Sequence, residues 1–178
     1  MPRRVLTETP DTFEGRNDRV RRMFPPGLTE AILSVHLQRV DPDITVHTIH
    51  DGHRHHLLTT DGDGRRAIYT YAGRWHITDS HSTSIAPGLL DTLRALGATY
   101  DAEPWLAITA LLREDAQIIR SVIIPLRWLD SLTPDDLPYG EGIRKMGDRG
   151  VLITYSTRTW KYLKANPEIM TFDYVLEQ

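Results

Sequence analysis

The stretch WLAITALL, residues 105–112, is apolar with no regular polar alternation. A strand with one face in water alternates apolar and polar residues, so this run predicts a strand covered on both faces. It is expected at the centre of a sheet. Arg113-Glu114-Asp115-Ala116 turns the chain into QIIRSVIIP (117–125), the expected hairpin partner, and Leu126 to Leu132 reads as a short helix after Pro125. Thr109, Arg120, Ser121 and Arg127 interrupt the apolar runs, leaving nothing long enough to span a bilayer.

The remaining elements follow from periodicity and punctuation. Leu28, Ile32, Leu33, Val35, His36, Leu37 and Val40 recur at roughly helical spacing, which predicts a helix over 29–39, capped by Thr29 and ended by Asp41-Pro42. Runs near 44–50, 53–60, 66–72 and 74–79 are separated by Asp51-Gly52, Asp61-Gly62-Asp63-Gly64 and Ala72-Gly73, and read as an antiparallel meander. Residues 79–84 offer capping side chains for a helix from 86 to 96, closed by Gly97 and burying Leu89, Leu90, Leu93 and Leu96. After a Gly-rich turn come a strand at 151–156, a helix at 157–165 stopped by Asn166-Pro167, and a final strand at 169–176. The expected fold is a single α+β domain over 28–178: a mixed, mostly antiparallel sheet, made of a β-meander and a central hydrophobic hairpin, with three to four helices. Residues 1–27 carry Arg3, Arg4, Arg16, Arg19, Arg21 and Arg22 without a sustained apolar period, and read as a flexible basic arm.

Composition narrows the classes. Across 178 residues, 40% are hydrophobic and 25% charged, which argues against a disordered, collagen-like or coiled-coil chain. Cysteine is absent, which excludes disulfides, thiolate metal sites and cysteine nucleophiles, so any catalysis must use oxygen or nitrogen chemistry. No apolar stretch follows the first arginines, so the expectation is a cytoplasmic protein. Arginine outnumbers lysine by 18 to 3, read as a coding bias and consistent with a bacterial or phage origin.

Seven of the eight histidines lie between His47 and His81, five of them in HTIHDGHRHH. Imidazole ligates metals and titrates near neutrality, so the cluster suggests a divalent-ion site or a general base. Within one strand His47 and His50 point to opposite faces, but across the Asp51-Gly52 turn His50 and His53 are expected to face each other as a metal pair. The alternative is a solvated, histidine-rich hairpin.

Charge placement says more than the net charge of -3. Residues 101–141 carry eight acids and three arginines, whereas 142–165 carry Arg144, Lys145, Arg149, Arg158, Lys161 and Lys164 against Asp148 alone. Tyr155, Trp160 and Tyr162 interleave with those cations. Cations beside aromatics suit a phosphate backbone and unstacked bases, so Arg144, Lys145, Arg149, Arg158, Trp160, Lys161 and Lys164 are the candidate nucleic-acid contacts. The acidic stretch 101–141 is the candidate face for a protein partner.

The order of elements resembles the restriction-endonuclease-like, or PD-(D/E)XK, nuclease superfamily. The matching pieces are GLTEAILSVHL with Glu30, the hairpins around TTDGDGRRAIYTYAGRWHITDS, the helix LLDTLRALG and the pair WLAITALLREDAQIIRSVIIPLRWL, over residues 28–132. The resemblance implies a helix, a meander bearing catalytic acids, a crossover helix and further strands. It also implies magnesium or manganese, zinc being the less favoured ion, and DNA in preference to RNA. Aligned on that pattern, the family's lysine falls near Tyr71 and its second acid near Tyr69, and no lysine stands two residues after an acid. The remaining candidates are Asp61 and Asp63, with Glu30, as metal ligands and His55 or His56 as a base. Two outcomes follow: a degenerate site on a fold that binds DNA or protein, or an atypical metal-dependent endonuclease. Two other classes stand beside them, a non-catalytic immunity, adaptor or inhibitor module and a histidine-metal hydrolase; a homodimer is compatible with any of these.

Overall fold

The computed structural model describes residues 27–52, 54–73, 82–111, 118–133, 143–145, 150–154 and 157–175. Among them run α1 (Leu28–Val40), β1 (Thr45–His50), β2 (His55–Thr60), β3 (Arg66–Gly73), β4 (Ser82–Ile85), α2 (Pro87–Tyr100), β5 (Glu103–Leu111), β6 (Ile118–Pro125), α3 (Leu126–Ser131), β7 (Ile143–Lys145), β8 (Val151–Thr154), α4 (Thr157–Ala165) and β9 (Met170–Val175). The fold is α+β. A six-stranded sheet has the order β1-β2-β3-β5-β6-β9, and β4-β8-β7 form a second sheet. Within the large sheet only β3 and β5 are parallel, because α2 carries the chain back between them. No described helix is long and apolar enough to cross a membrane.

Residues 105–111 of that run lie in β5, fourth of the six strands and covered on both faces. Consecutive residues go to opposite layers: Leu106 and Ile108 join the core beneath α2, while Ala107 joins Leu33 and Leu37 of α1 with Leu57, Tyr69 and Ile123. That division explains the missing alternation. Leu90 and Leu93 of α2, Trp128 and Leu129 of α3, Ile143, Val151 and Ile153 of the small sheet, and Leu163 of α4 fill the first layer. A fully buried Leu or Ile of this kind contributes about 1.5–3 kcal/mol over an exposed one.

Several local expectations shift once tertiary partners are present. The α1 N-cap is Gly27, at φ 88, and Thr29 lies inside the helix with its hydroxyl donating to Glu30 Oε2 at 2.9 Å. Helix α2 continues past Gly97 to an Asp101 cap at φ 47. Gly97 is there for close packing, since a Cβ on it would meet the Ala102 carbonyl oxygen at 2.9 Å and Pro104 Cδ at 3.2 Å. The expected capping loop contains β4, which pairs with β8 in the register Ile85↔Val151 and buries Ile85. The expected Gly-rich turn contains β7, paired Ile143↔Ile153. The expected strand at 74–79 and the basic arm at 1–26 lie outside the described residues.

Candidate functional site

The histidine-rich hairpin builds a polar cluster at one end of the large sheet. Strand β1 ends at His50 and β2 begins at His55, and the register runs Ile49↔His56 and His50↔His55. His50 therefore faces His55, and His53 lies outside the described residues. The two exposed rings meet with centroids 4.2 Å apart at 66°. His56, fully buried, places Nε2 at 2.8 Å from Asp51 Oδ2 and Nδ1 at 2.8 Å from Thr70 Oγ1. The carboxylate can only accept, so Nε2–H donates to Asp51, and in the neutral ring Nδ1 accepts from the Thr70 hydroxyl. Both ring nitrogens are engaged, which leaves no lone pair for water or a metal in this arrangement. Asp51 Oδ1 also accepts the Arg54 backbone N–H at 2.8 Å, so one carboxylate ties the loop to the buried ring.

The carboxylates are distributed differently. Asp61 and Asp63 sit in the turn between β2 and β3, where Asp61 Oδ1 accepts the backbone N–H groups of Asp63 and Arg65 at 3.0 and 2.8 Å. Arg65 lies 3.2 Å from Asp63 and 4.0 Å from Asp61. Glu30, in the first turn of α1, lies near Tyr71, whose hydroxyl donates to the Thr29 carbonyl. Tyr71 is at the other end of β3, about 17 Å away at some 3.4 Å per residue. Tyr69 and Tyr71 are largely enclosed on the α1 side: burial pushes the Tyr69 phenol up to about 12, and burial followed by the Glu30 charge raises Tyr71 further. The set Asp61, Asp63 and Glu30 does not fit one magnesium or manganese ion, since Asp61 and Asp63 are engaged in turn and ion-pair contacts and Glu30 is separated from them on α1, where it accepts from the Thr29 hydroxyl. Among the described residues no group of three or more His, Asp or Glu side chains could hold a metal.

The basic candidates also divide. Lys145, at the end of β7, donates to the carbonyls of Asp130 and Leu132 at 2.9 and 2.8 Å and so caps α3. It lines a cleft of about 280 Å³ with Arg94, which bridges Asp91 and Asp130 at 3.0 and 2.6 Å. Arg144 lies on β7 and Arg158 on α4; Arg149 falls outside the described residues. Trp160 is buried in the core, with the Arg120 guanidinium 4.1 Å from its ring centroid, so that face is not open to a base. Arg120 in turn holds Asp173 through two bonds of 2.9 Å, tying α4 to β6 and β9. With Trp160 and Leu163 inward, Lys161, Tyr162 and Lys164 are exposed, and no described residue pairs with either lysine. In the acidic stretch, Glu103 pairs with Arg127 and Asp130 with Arg94.

Asp51, Thr70 and Arg120 escaped the sequence reading, because their partners lie five to 53 residues away. The Asp51-Gly52 turn marked the place of Asp51 without its partner. No protein-family model matches the chain, and no curated protein or solved structure matches it.

Proposed function

We propose that this protein binds nucleic acid, DNA in preference to RNA, through the outer face of α4, without cleaving it. The observation that carries the reading is the solvent-facing set Lys161, Tyr162 and Lys164 on a helix anchored by Trp160 and Leu163. Lysines neutralise phosphates by counterion release, and an exposed tyrosine offers a ring for an unstacked base. The element order supports a nuclease-like lineage: α1, an antiparallel β1-β2-β3, a crossover α2 and β5 parallel to β3. Tyr69 and Tyr71 at the positions aligned with acid and lysine favour binding without hydrolysis.

Binding to labelled duplex and single-stranded DNA at about 50 and 200 mM salt, with and without magnesium or manganese, tests the proposal. Steeply salt-dependent binding is expected, with the substrate left intact. For Lys161→Ala with Lys164→Ala, the duplex slope of log K against log salt should become shallower by about 2, at some 0.9 per phosphate contact. An unchanged slope removes α4 from the interface. Absence of binding, with a partner captured in a nuclease-insensitive way, favours the interaction-module class. Metal-dependent cleavage overturns the non-catalytic part.

A further inference from the structure

The hairpin carries a second feature, independent of α4. His50 and His55 are directly opposed across β1 and β2, both are exposed, and their ring centroids lie 4.2 Å apart at 66°. Directly opposed residues of an antiparallel pair share a face, with Cβ atoms about 4.5–5.5 Å apart. The rings are far from parallel, so modest rotation of two exposed side chains brings one nitrogen of each onto a common ion. Their backbone is held for this: the Asp51 N–H donates to the Arg54 carbonyl at 3.3 Å, and Asp51 Oδ1 accepts the Arg54 N–H at 2.8 Å. The next residue, His56, is locked between Asp51 and Thr70. Little ordering is left for binding to impose.

We propose that His50 and His55 form a two-histidine chelate for a borderline transition-metal ion, with Zn²⁺ as the reference ion. Imidazole suits zinc, nickel and copper, whereas magnesium and calcium take oxygen ligands. The remaining coordination positions belong to water, which makes the site open and exchangeable.

Titration of the full chain, free of any affinity tag, with Zn²⁺ alone by calorimetry tests this, alongside imidazole ¹⁵N spectra to identify the rings that shift. One saturable site is expected, with the His50 and His55 signals moving together. His50→Ala or His55→Ala should each weaken binding about 100-fold, since removing one donor forfeits the intramolecular second contact. His47→Ala is the control: His47 is paired with Leu58, on the opposite face of β1 from His50, and its loss should leave affinity unchanged. The three substituted side chains are exposed, so folding should survive each change. Wild-type affinity in His50→Ala and His55→Ala, or no saturable binding by the native chain, overturns the proposal.

Discussion

Replacing His56 and Thr70 separately and together tests whether the Asp51–His56–Thr70 chain acts as one unit. His56→Leu removes a charge-assisted bond to Asp51, about 1.5–3 kcal/mol, and strands the fully buried Thr70 hydroxyl, about 1–3 kcal/mol. Added apolar burial offsets about 1 kcal/mol, so a net loss of about 1.5–5 kcal/mol is expected. Thr70→Val nearly preserves shape but leaves Nδ1 without its donor, for a loss of about 1–2 kcal/mol. In the double variant both ends of that bond are apolar, and the Asp51 side chain, 24% exposed, can turn to water. Its loss is therefore expected to be about 1–2 kcal/mol, well below the sum of the single losses. Urea unfolding at neutral pH, followed by tryptophan fluorescence and circular dichroism, reads all four stabilities. Additivity within about 0.5 kcal/mol, or a neutral Thr70→Val, would refute the reasoning.

Two further stability predictions follow. Gly97→Ala sets helix propensity, about 1 kcal/mol in favour of Ala, against a Cβ 2.9 Å from a backbone carbonyl oxygen. The contact should win, lowering stability by about 1–3 kcal/mol and Tm by about 2–4 °C per kcal/mol, whereas Gly88→Ala, with nothing within 4 Å, should not destabilise; a higher Tm for Gly97→Ala would refute this. The Tyr69 phenol is pushed up to about 12 in the folded chain, so its contribution is complete below the unfolded value near 10 and is lost as pH rises from about 10 to 12. Stability should then fall by about 1.4 kcal/mol per pH unit from this group, with Tyr69→Phe flattening that part of the profile; an equal slope in the variant would exclude Tyr69 as the source.

The histidine site was legible in density but not in pairing. Starting β2 at residue 53 pairs His50 with His53, and starting it at 55 pairs His50 with His55. Local composition does not discriminate between two loop lengths; the register that buries His56, Leu57, Leu58 and Thr59 does. The role of Trp160 was likewise undecided, because Arg120, held by Asp173 of another distant strand, closes over its ring.

The amino-acid sequence by itself determined those elements whose burial pattern or punctuation is local. Doubly covered β5 announces itself in WLAITALL, and α4 runs over 157–165 as expected because Asn166-Pro167 stops it. Only the tertiary structure decided the parallel β3–β5 pairing, the small β4-β8-β7 sheet, the packing role of Gly97 and the buried place of His56. Each depends on groups distant in the chain that must meet to satisfy a backbone hydrogen bond, a buried ring nitrogen or a close contact, and residues are not brought together by their own neighbours alone.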